Sequence, residues 1–241
     1  VNMKKIAIVA SGLLWATGIF ADGVSSQEIV GYQTKTIKAG FSLNTPTFTD
    51  VGSDGIDLSK FKLLNAAGDG TEVIQVLEQD GSCSTIWTWL NTDAGVEKDG
   101  WYDNDTWEPI SKTVKLGQGY LMSVDADVDL QTAGTVKKNS SVVKLPAGFN
   151  VVGNATPCEI DLQNMKLINA AGDGTEVIQV LEQDGSCSTI WTWLNTDAGV
   201  EKDGWYDNDT WDPIVKTVKP GTAFLIAVDA DTELELPAVV K

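Results

Sequence analysis

One segment of 43 residues occurs twice in the chain without a single difference. Residues 65–107 and residues 169–211 are identical and lie 104 positions apart. A weaker likeness continues on both sides, so that Val114 returns as Val218. Such a chain is predicted to fold as two like units that repeat whatever they bind or build. The perfect identity fits recent copying of the DNA, so it says little about selection for a function.

The likeness divides the chain into copy one, residues 27–136, and copy two, residues 137–241. Each copy has about 105 residues, which is long enough to bury a hydrophobic core of its own. Residues 137–141, Lys-Lys-Asn-Ser-Ser, form a short polar joint between them. Because the joint is short, we expect the two copies either to touch each other or to move only modestly relative to each other.

The first residues have the pattern of an export signal. Lys4 and Lys5 precede an apolar run over residues 6–19, which is short for a membrane span and is followed by Ala21. We therefore predict a signal peptide over residues 1–21, cleaved after Ala21. The mature chain is expected to be soluble and secreted, either extracellular or periplasmic. A retained N-terminal anchor helix is the disfavoured alternative.

The composition excludes several classes of function. The net charge is −17, which disfavours binding to nucleic acid or anionic lipid. The chain has no histidine and no arginine, which excludes histidine-based catalysis and histidine metal sites. Paired carboxylates could hydrolyse glycosides, but a unit of about 105 residues is small for a substrate cleft. We therefore predict that the protein is not an enzyme.

The alternation of apolar and polar residues has a period of two through most of each copy, which is typical of strands. Residues 29–43 predict a hairpin or a kinked strand pair around Ala39-Gly40, and residues 84–90 predict a strand. Residues 57–64 predict a short helix with Asp57 as its N-cap. The fold class expected is mostly β, with two tandem antiparallel β-sandwich or barrel-like domains that each carry one short helix.

The order of the short motifs resembles that of uncharacterised secreted bacterial β-domain proteins with a GY…PAGFN…GW…GQGF pattern. The matching residues are Gly31-Tyr32, residues 146–150, Gly100-Trp101 and residues 117–120. Copy two departs from the pattern at residues 221–224, Gly-Thr-Ala-Phe. The resemblance covers most of each copy. It implies a β fold and export, and it implies no activity.

Tryptophan is the most prominent residue type in the two copies. Buried indoles would build the core, whereas exposed indoles would form a platform that stacks on sugar rings beside carboxylates that bind hydroxyls. The core is the favoured alternative, because aromatic side chains are largely buried on average. The candidate ligand-binding residues are Trp87, Trp89, Trp101, Asp103, Asp105, Trp107, Trp191, Trp193, Trp205, Asp207, Asp209 and Trp211.

Acidic residues crowd the segment 99–105 and its counterpart 203–209, and oxygen ligands of this kind suit calcium. The EF-hand arrangement of ligands is absent from the sequence. Solvated surface acids are therefore favoured over calcium, and we predict neither a metal site nor a cofactor.

The chain has three cysteines, an odd number for a secreted protein. A disulfide between Cys158 and Cys187 is the first pairing that we consider. The alternatives are a Cys83–Cys187 bond, a Cys83 that links neighbouring molecules, and three buried thiols.

These features favour a secreted, non-catalytic structural or adhesive module of the cell envelope or extracellular space. Its expected partners are further copies of itself or a surface polysaccharide. We expect no nucleic acid and, after signal cleavage, no membrane. The alternative is a carbohydrate-binding protein that uses exposed tryptophan platforms.

Overall fold

The computed structural model describes residues 29–78, 82–181 and 184–238. The predicted signal peptide lies outside these residues. So does Asp80-Gly81, a pair of residues that predicts a hairpin turn. The strands of copy one are β1 Val30–Ile37, β2 Gly40–Asn44, β3 Gly55–Asp57, β4 Lys62–Leu64, β5 Asp69–Val76, β6 Trp87–Leu90, β7 Gly100–Asp103, β8 Thr113–Lys115, β9 Tyr120–Val124 and β10 Val128–Thr135. Those of copy two are β11 Ser141–Leu145, β12 Gly148–Gly153, β13 Ile160–Asp161, β14 Lys166–Ile168, β15 Asp173–Leu181, β16 Cys187–Leu194, β17 Gly204–Asp207, β18 Thr217–Val218, β19 Ala223–Val228 and β20 Thr232–Leu236.

The prediction of a mostly β, antiparallel chain is confirmed. Copy one has a five-stranded sheet in the order β2-β9-β5-β6-β7, a three-stranded sheet β1-β10-β4 and a ribbon β3-β8. Copy two repeats all three as β12-β19-β15-β16-β17, β11-β20-β14 and β13-β18. The shared sequence therefore produces the same strand order twice.

The chain turns a corner at Gly40 instead of forming a hairpin there. β1 pairs with β10 and β2 pairs with β9, so the two predicted partners belong to different sheets. Gly40 has a φ of +100°, which glycine adopts without the strain that a Cβ would add. Asp127, from the opposite corner between β9 and β10, accepts a hydrogen bond from the backbone N–H of Ala39. In copy two, Asp231 binds the N–H of Ala147 in the same way.

The described residues contain no α-helix, and the prediction of one short helix per copy is wrong in detail. Each copy has two single 3-10 turns, at Leu58–Lys60 and Thr92–Ala94 in copy one and at Leu162–Asn164 and Thr196–Ala198 in copy two. Asp57 does act as the predicted N-cap, because its side chain accepts from the N–H of Ser59. The segment then continues as β4, since strand pairing with β10 buries Leu63. No helix in the described ranges is long and apolar enough to cross a membrane.

Buried apolar side chains form two separate clusters. One lies within residues 37–136 and the other within residues 145–236, with Leu116 of copy one as the single exchange between them. Ile74 and Met122 anchor the first cluster, and their counterparts Ile178 and Ile226 anchor the second. Each copy therefore buries mainly its own apolar residues.

The two copies meet along a contact that we call the seam, formed by residues 44–45 and 117–119 against residues 151–153 and 221–222. Two β-bridges span it, Asn44 with Thr222 and Gln118 with Val152. The N–H of Thr45 donates to the carbonyl of Gly221 over 3.1 Å. The N–H of Gly153 donates to the carbonyl of Gly117 over 3.3 Å. Backbone groups of both copies are thus satisfied across the seam.

Glycine allows the close approach at the seam. A Cβ built on Gly119 would lie 2.2 Å from Cγ1 of Val151, and one on Gly117 would lie 2.4 Å from Cγ2 of Val143. Both distances are far below van der Waals contact. The Gly-Gln-Gly part of the GQGF-like motif therefore has a packing role between the copies.

A polar pair at the seam is replaced by an apolar pair in the other copy, and this difference predicts a stability change. Lys35 donates to Oδ1 of Asn44 and to the carbonyl of Gly221. In copy two, Val143 stands in place of Lys35 and Val152 in place of Asn44. Burial, with a smaller contribution from the charge of Lys219, lowers the pKa of Lys35 to about 8. Because the folded pKa lies below the unfolded value, Lys35 opposes folding at neutral pH. That opposition fades as the pH rises from about 8 towards 10.5.

We therefore expect the double variant Lys35→Val/Asn44→Val, which copies the apolar pair of copy two, to be more stable than the parent at pH 7. Its advantage should shrink as the pH rises above about 8, where the parent loses the charge of Lys35. Urea midpoints of both proteins between pH 7 and 10.5 measure this difference. A constant difference across the range would contradict the assignment.

Candidate functional site: the two tryptophan loops

Six of the eight tryptophans that the structure describes lie in the core. Their side chains are between 0% and 8% exposed, and they are Trp87, Trp89, Trp101, Trp191, Trp193 and Trp205. All four residues of β6 are buried, so alternation along the strand leaves neither face in solvent. The platform hypothesis is therefore wrong for these six indoles, which cannot stack on a ligand.

The buried indoles pack against one another and against the backbone. Trp89 and Trp101 meet edge to face with ring centroids 5.4 Å apart, an arrangement that aromatic quadrupoles favour. Trp193 and Trp205 repeat it at 5.3 Å. Nε1 of Trp101 donates to the carbonyl of Phe61 over 3.0 Å, so its polar group is satisfied inside the core.

The remaining two tryptophans are exposed, and each has an unusual backbone. Trp107 is 56% exposed and Trp211 is 54% exposed. Their φ angles are +60° and +61°, in the left-handed region that bulky residues rarely adopt. Such a conformation costs about 1–2 kcal/mol for a residue with a Cβ. Strain of this kind is concentrated at sites of function, so these two residues are the best candidates in the chain.

Hydrogen bonds hold each exposed indole on a short ordered loop. We call residues 103–108 and 207–212 the Trp loops. Oδ1 of Asp103 accepts from the N–H groups of Asp105 and Thr106 over 2.9 and 2.8 Å. The N–H of Trp107 donates to the carbonyl of Asp103, and the N–H of Asp103 donates to the carbonyl of Glu108. The loop is thus closed on itself at both ends.

The Trp loop of copy two repeats this network. Oδ1 of Asp207 accepts from the N–H groups of Asp209 and Thr210, both over 3.0 Å. The N–H of Trp211 donates to the carbonyl of Asp207 over 2.9 Å. The loop geometry therefore survives the change from Glu108 to Asp212, which supplies its carbonyl in place of Glu108.

The carboxylates of the predicted site have two different roles. The hydrogen bond from Thr106, with others from the same loop, holds the pKa of Asp103 below its usual value. In copy two, the hydrogen bond from the backbone of Thr210 is the main cause that lowers the pKa of Asp207. These two side chains shape the loops. Asp105 and Asp209 are exposed beside the indoles, where carboxylate oxygens can accept from the hydroxyls of a ligand.

The acidic residues of this region do not assemble into a metal site. Within the described part of the chain, no group of three or more acidic or cysteine side chains is placed to hold a metal ion. Oδ1 of Asp99 accepts from the N–H of Thr92 and so supports the neighbouring 3-10 turn. Asp103 is engaged within its own loop. Within the predicted calcium ligands of copy one, the carboxylates of Asp99 and Asp103 thus bind backbone N–H groups.

The predicted disulfide is not formed. Cys83, Cys158 and Cys187 are all free and exposed, which also overturns the alternative of three buried thiols. Cys187 begins β16, whereas Cys158 lies in the loop between β12 and β13.

Each copy contains a buried carboxylate that was not predicted from the sequence. Glu72 is 3% exposed, and its two oxygens accept from the N–H groups of Ala67 and Gly68 over 2.6 and 3.2 Å. The signal was present in the sequence, because Glu72 alternates with the buried Ile74 and Val76 along β5. Strand periodicity therefore places this acid on the core face, where only hydrogen bonding makes it tolerable.

Comparison with protein-family models, curated proteins and solved structures finds no match for the chain. The resemblance to secreted bacterial β-domain proteins accordingly stays a prediction.

Proposed function

We propose that this chain is a secreted, non-catalytic adhesive protein of the cell envelope or extracellular space. It consists of two β-sandwich or barrel-like domains, copy one and copy two, and it contacts polysaccharide through its two Trp loops. Trp107 and Trp211 provide the stacking faces, and Asp105 and Asp209 bind hydroxyl groups. The observation that carries the proposal is the pair of exposed indoles held at positive φ on ordered loops.

The chemistry of an exposed indole supports this ligand. A flat apolar face of this size buries the C–H face of a pyranose, and the neighbouring carboxylate accepts from its hydroxyls. A preorganised loop loses little conformational entropy on binding. Two like sites on one chain raise the avidity for a polymer that presents the same ring many times.

The double variant Trp107→Gly/Trp211→Gly tests the proposal on binding and stability together. Glycine accepts the positive φ, so the free energy of unfolding should stay level or rise by up to about 1–2 kcal/mol at each site. Retardation in polysaccharide-containing gels should disappear, and each single variant should bind about 10–100-fold more weakly than the parent because avidity is lost.

The matched control is Val215→Gly, which removes a side chain that is 95% exposed and lies outside the loops. It should migrate as the parent does. A double variant that is retarded as strongly as the parent, or a parent that no polysaccharide in the panel retards, would contradict the proposal.

Structural assembly is the second candidate function, and the exposed thiols favour it. Cys83 and Cys187 are equivalent positions, and each presents a free, exposed sulfur that can link neighbouring molecules outside the cytoplasm. We expect air oxidation to give covalent multimers that reductant dissolves, as seen by light scattering and non-reducing gels. The variant Cys83→Ser/Cys187→Ser retains only the exposed thiol of Cys158, so oxidation should give nothing larger than a covalent dimer. Multimers that persist in this variant under reductant would show that another contact drives assembly.

A further inference from the structure

We infer that the seam is a self-complementary docking surface and that its second partner is another copy of this chain, which binds by exchange of halves. In the exchanged pair, copy one of each molecule docks on copy two of the other. The inference stands on the seam contacts and does not depend on the proposed binding of polysaccharide.

The contacts across the seam occur in pairs, which join equivalent positions of the two copies. The strand registers show that positions of copy one up to β2 correspond to positions 108 further on, since Asn44 pairs with Tyr120 where Val152 pairs with Phe224. Later positions correspond at a separation of 104. Asn44 is therefore the counterpart of Val152.

By the same rule Gln118 is the counterpart of Thr222. The bridge from Asn44 to Thr222 and the bridge from Val152 to Gln118 are then one contact made twice, with the roles of the copies exchanged. Two of the three backbone hydrogen bonds across the seam obey this rule as well. Thr45 donates to Gly221, and Gly153, the counterpart of Thr45, donates to Gly117, the counterpart of Gly221. The third bond, from Gly119 to Val151, is additional to this pair. Backbone contacts at equivalent positions therefore give the seam an approximate twofold symmetry, a geometry that is usual in homodimers.

The seam requires one unit of each kind, copy one and copy two, and these can come from the same chain or from different chains. Its backbone groups are satisfied across the interface, so halves that separate expose donors and acceptors that another chain can satisfy equally well. Residues 136–140 link β10 to β11 and contain no strand. Five residues span up to about 17 Å when extended, which gives the halves room to part.

The balance between the monomer and the exchanged pair depends on the protein concentration. A short link gives the intrachain pairing a millimolar effective concentration, so the monomer dominates in dilute solution. Exchange is favoured when chains refold together at high protein concentration. When two chains exchange halves mutually, no half is left without a partner, so the product closes as a pair with four Trp loops and does not grow into a fibre.

Mixed single-cysteine chains test the inference. Both chains carry Cys83→Ser, Cys158→Ser and Cys187→Ser; one also carries Asn44→Cys and the other Thr222→Cys. After joint unfolding in urea and refolding at high protein concentration, oxidation should yield covalent heterodimers. The pair Gln118→Cys and Val152→Cys probes the other bridge independently, which guards against a folding defect in either variant.

The control pair, Val51→Cys with Val215→Cys, places cysteines at exposed positions away from the seam. We expect roughly ten-fold more covalent dimer from each seam pair than from this control at equal concentration. Seam pairs that cross-link no better than the control would overturn the inference. Preferential linking of Asn44→Cys chains to Gln118→Cys chains would overturn it too, because that contact requires copy one to dock on copy one.

Discussion

Replacing Trp205 with alanine is expected to lower the free energy of unfolding by about 3–5 kcal/mol, the usual range for removing a large aromatic side chain from a core. The side chain is completely buried and meets Trp193 edge to face. Its Nε1 donates to the carbonyl of Met165 over 2.7 Å, so the substitution also leaves a buried acceptor without its donor. Urea unfolding followed by circular dichroism measures the change.

The chain provides matched controls for this experiment. Trp211→Ala removes the same side chain from an exposed position and should shift the urea midpoint little. Trp101→Ala makes the equivalent deletion in copy one and should cost about as much as Trp205→Ala, because Trp101 also meets a tryptophan edge to face and donates to a buried carbonyl. Equal shifts for Trp205→Ala and Trp211→Ala would show that the buried indole is not part of the packed core.

The contrast between these tryptophans shows where sequence reasoning stops. Alternation predicted correctly that residues 84–90 contain a strand, but it could not tell which indoles face solvent. Burial of Trp87 and Trp89 depends on what covers β6, and those elements come from distant parts of the chain. Exposure of Trp107 depends on a loop closed by hydrogen bonds from its own backbone. The residue type is the same in each case, so composition does not distinguish the buried tryptophans from the exposed ones.

The corner at Gly40 has a similar lesson. The pattern located the break between β1 and β2, because turn and strand preferences are local. It did not predict that the two strands join different sheets, since β1 pairs with residues 91 to 105 positions away. The seam is a further case. Both stretches of the duplication were visible in the sequence, yet which of their residues touch is decided by the assembled sheets.

Glu72 marks the opposite situation, in which the sequence carried a usable signal. A period of two places residues 72, 74 and 76 on one face of β5, and two of these are apolar. An acid in such a register predicts a buried carboxylate with backbone partners nearby. The hydrogen-bond donors to Glu72 are the N–H groups of Ala67 and Gly68 in the preceding loop.

The same arrangement in copy two predicts a large effect for Glu176→Leu. Glu176 is buried, and its oxygens accept from the N–H groups of Ala171 and Gly172 over 2.7 and 3.2 Å. Leucine fits the volume but accepts no hydrogen bond. Gly172 is buried, whereas Ala171 is exposed and its amide can bind water instead. A buried amide left without an acceptor costs roughly 1–3 kcal/mol, so we expect a loss of about 1–3 kcal/mol in the free energy of unfolding.

Hydrogen exchange separates this cause from a general loss of packing. The amides of Ala171 and Gly172 should exchange faster in Glu176→Leu than in the parent, even after correction for global stability. Glu176→Gln keeps one acceptor oxygen and should fall between the two, whereas Glu201→Leu, at an exposed position, should behave as the parent. Unchanged protection of both amides in Glu176→Leu would mean that the loop is held without the carboxylate. The hydrogen bonds from Asn195, which donates to the carbonyls of Ala171 and Gly172, would then be sufficient.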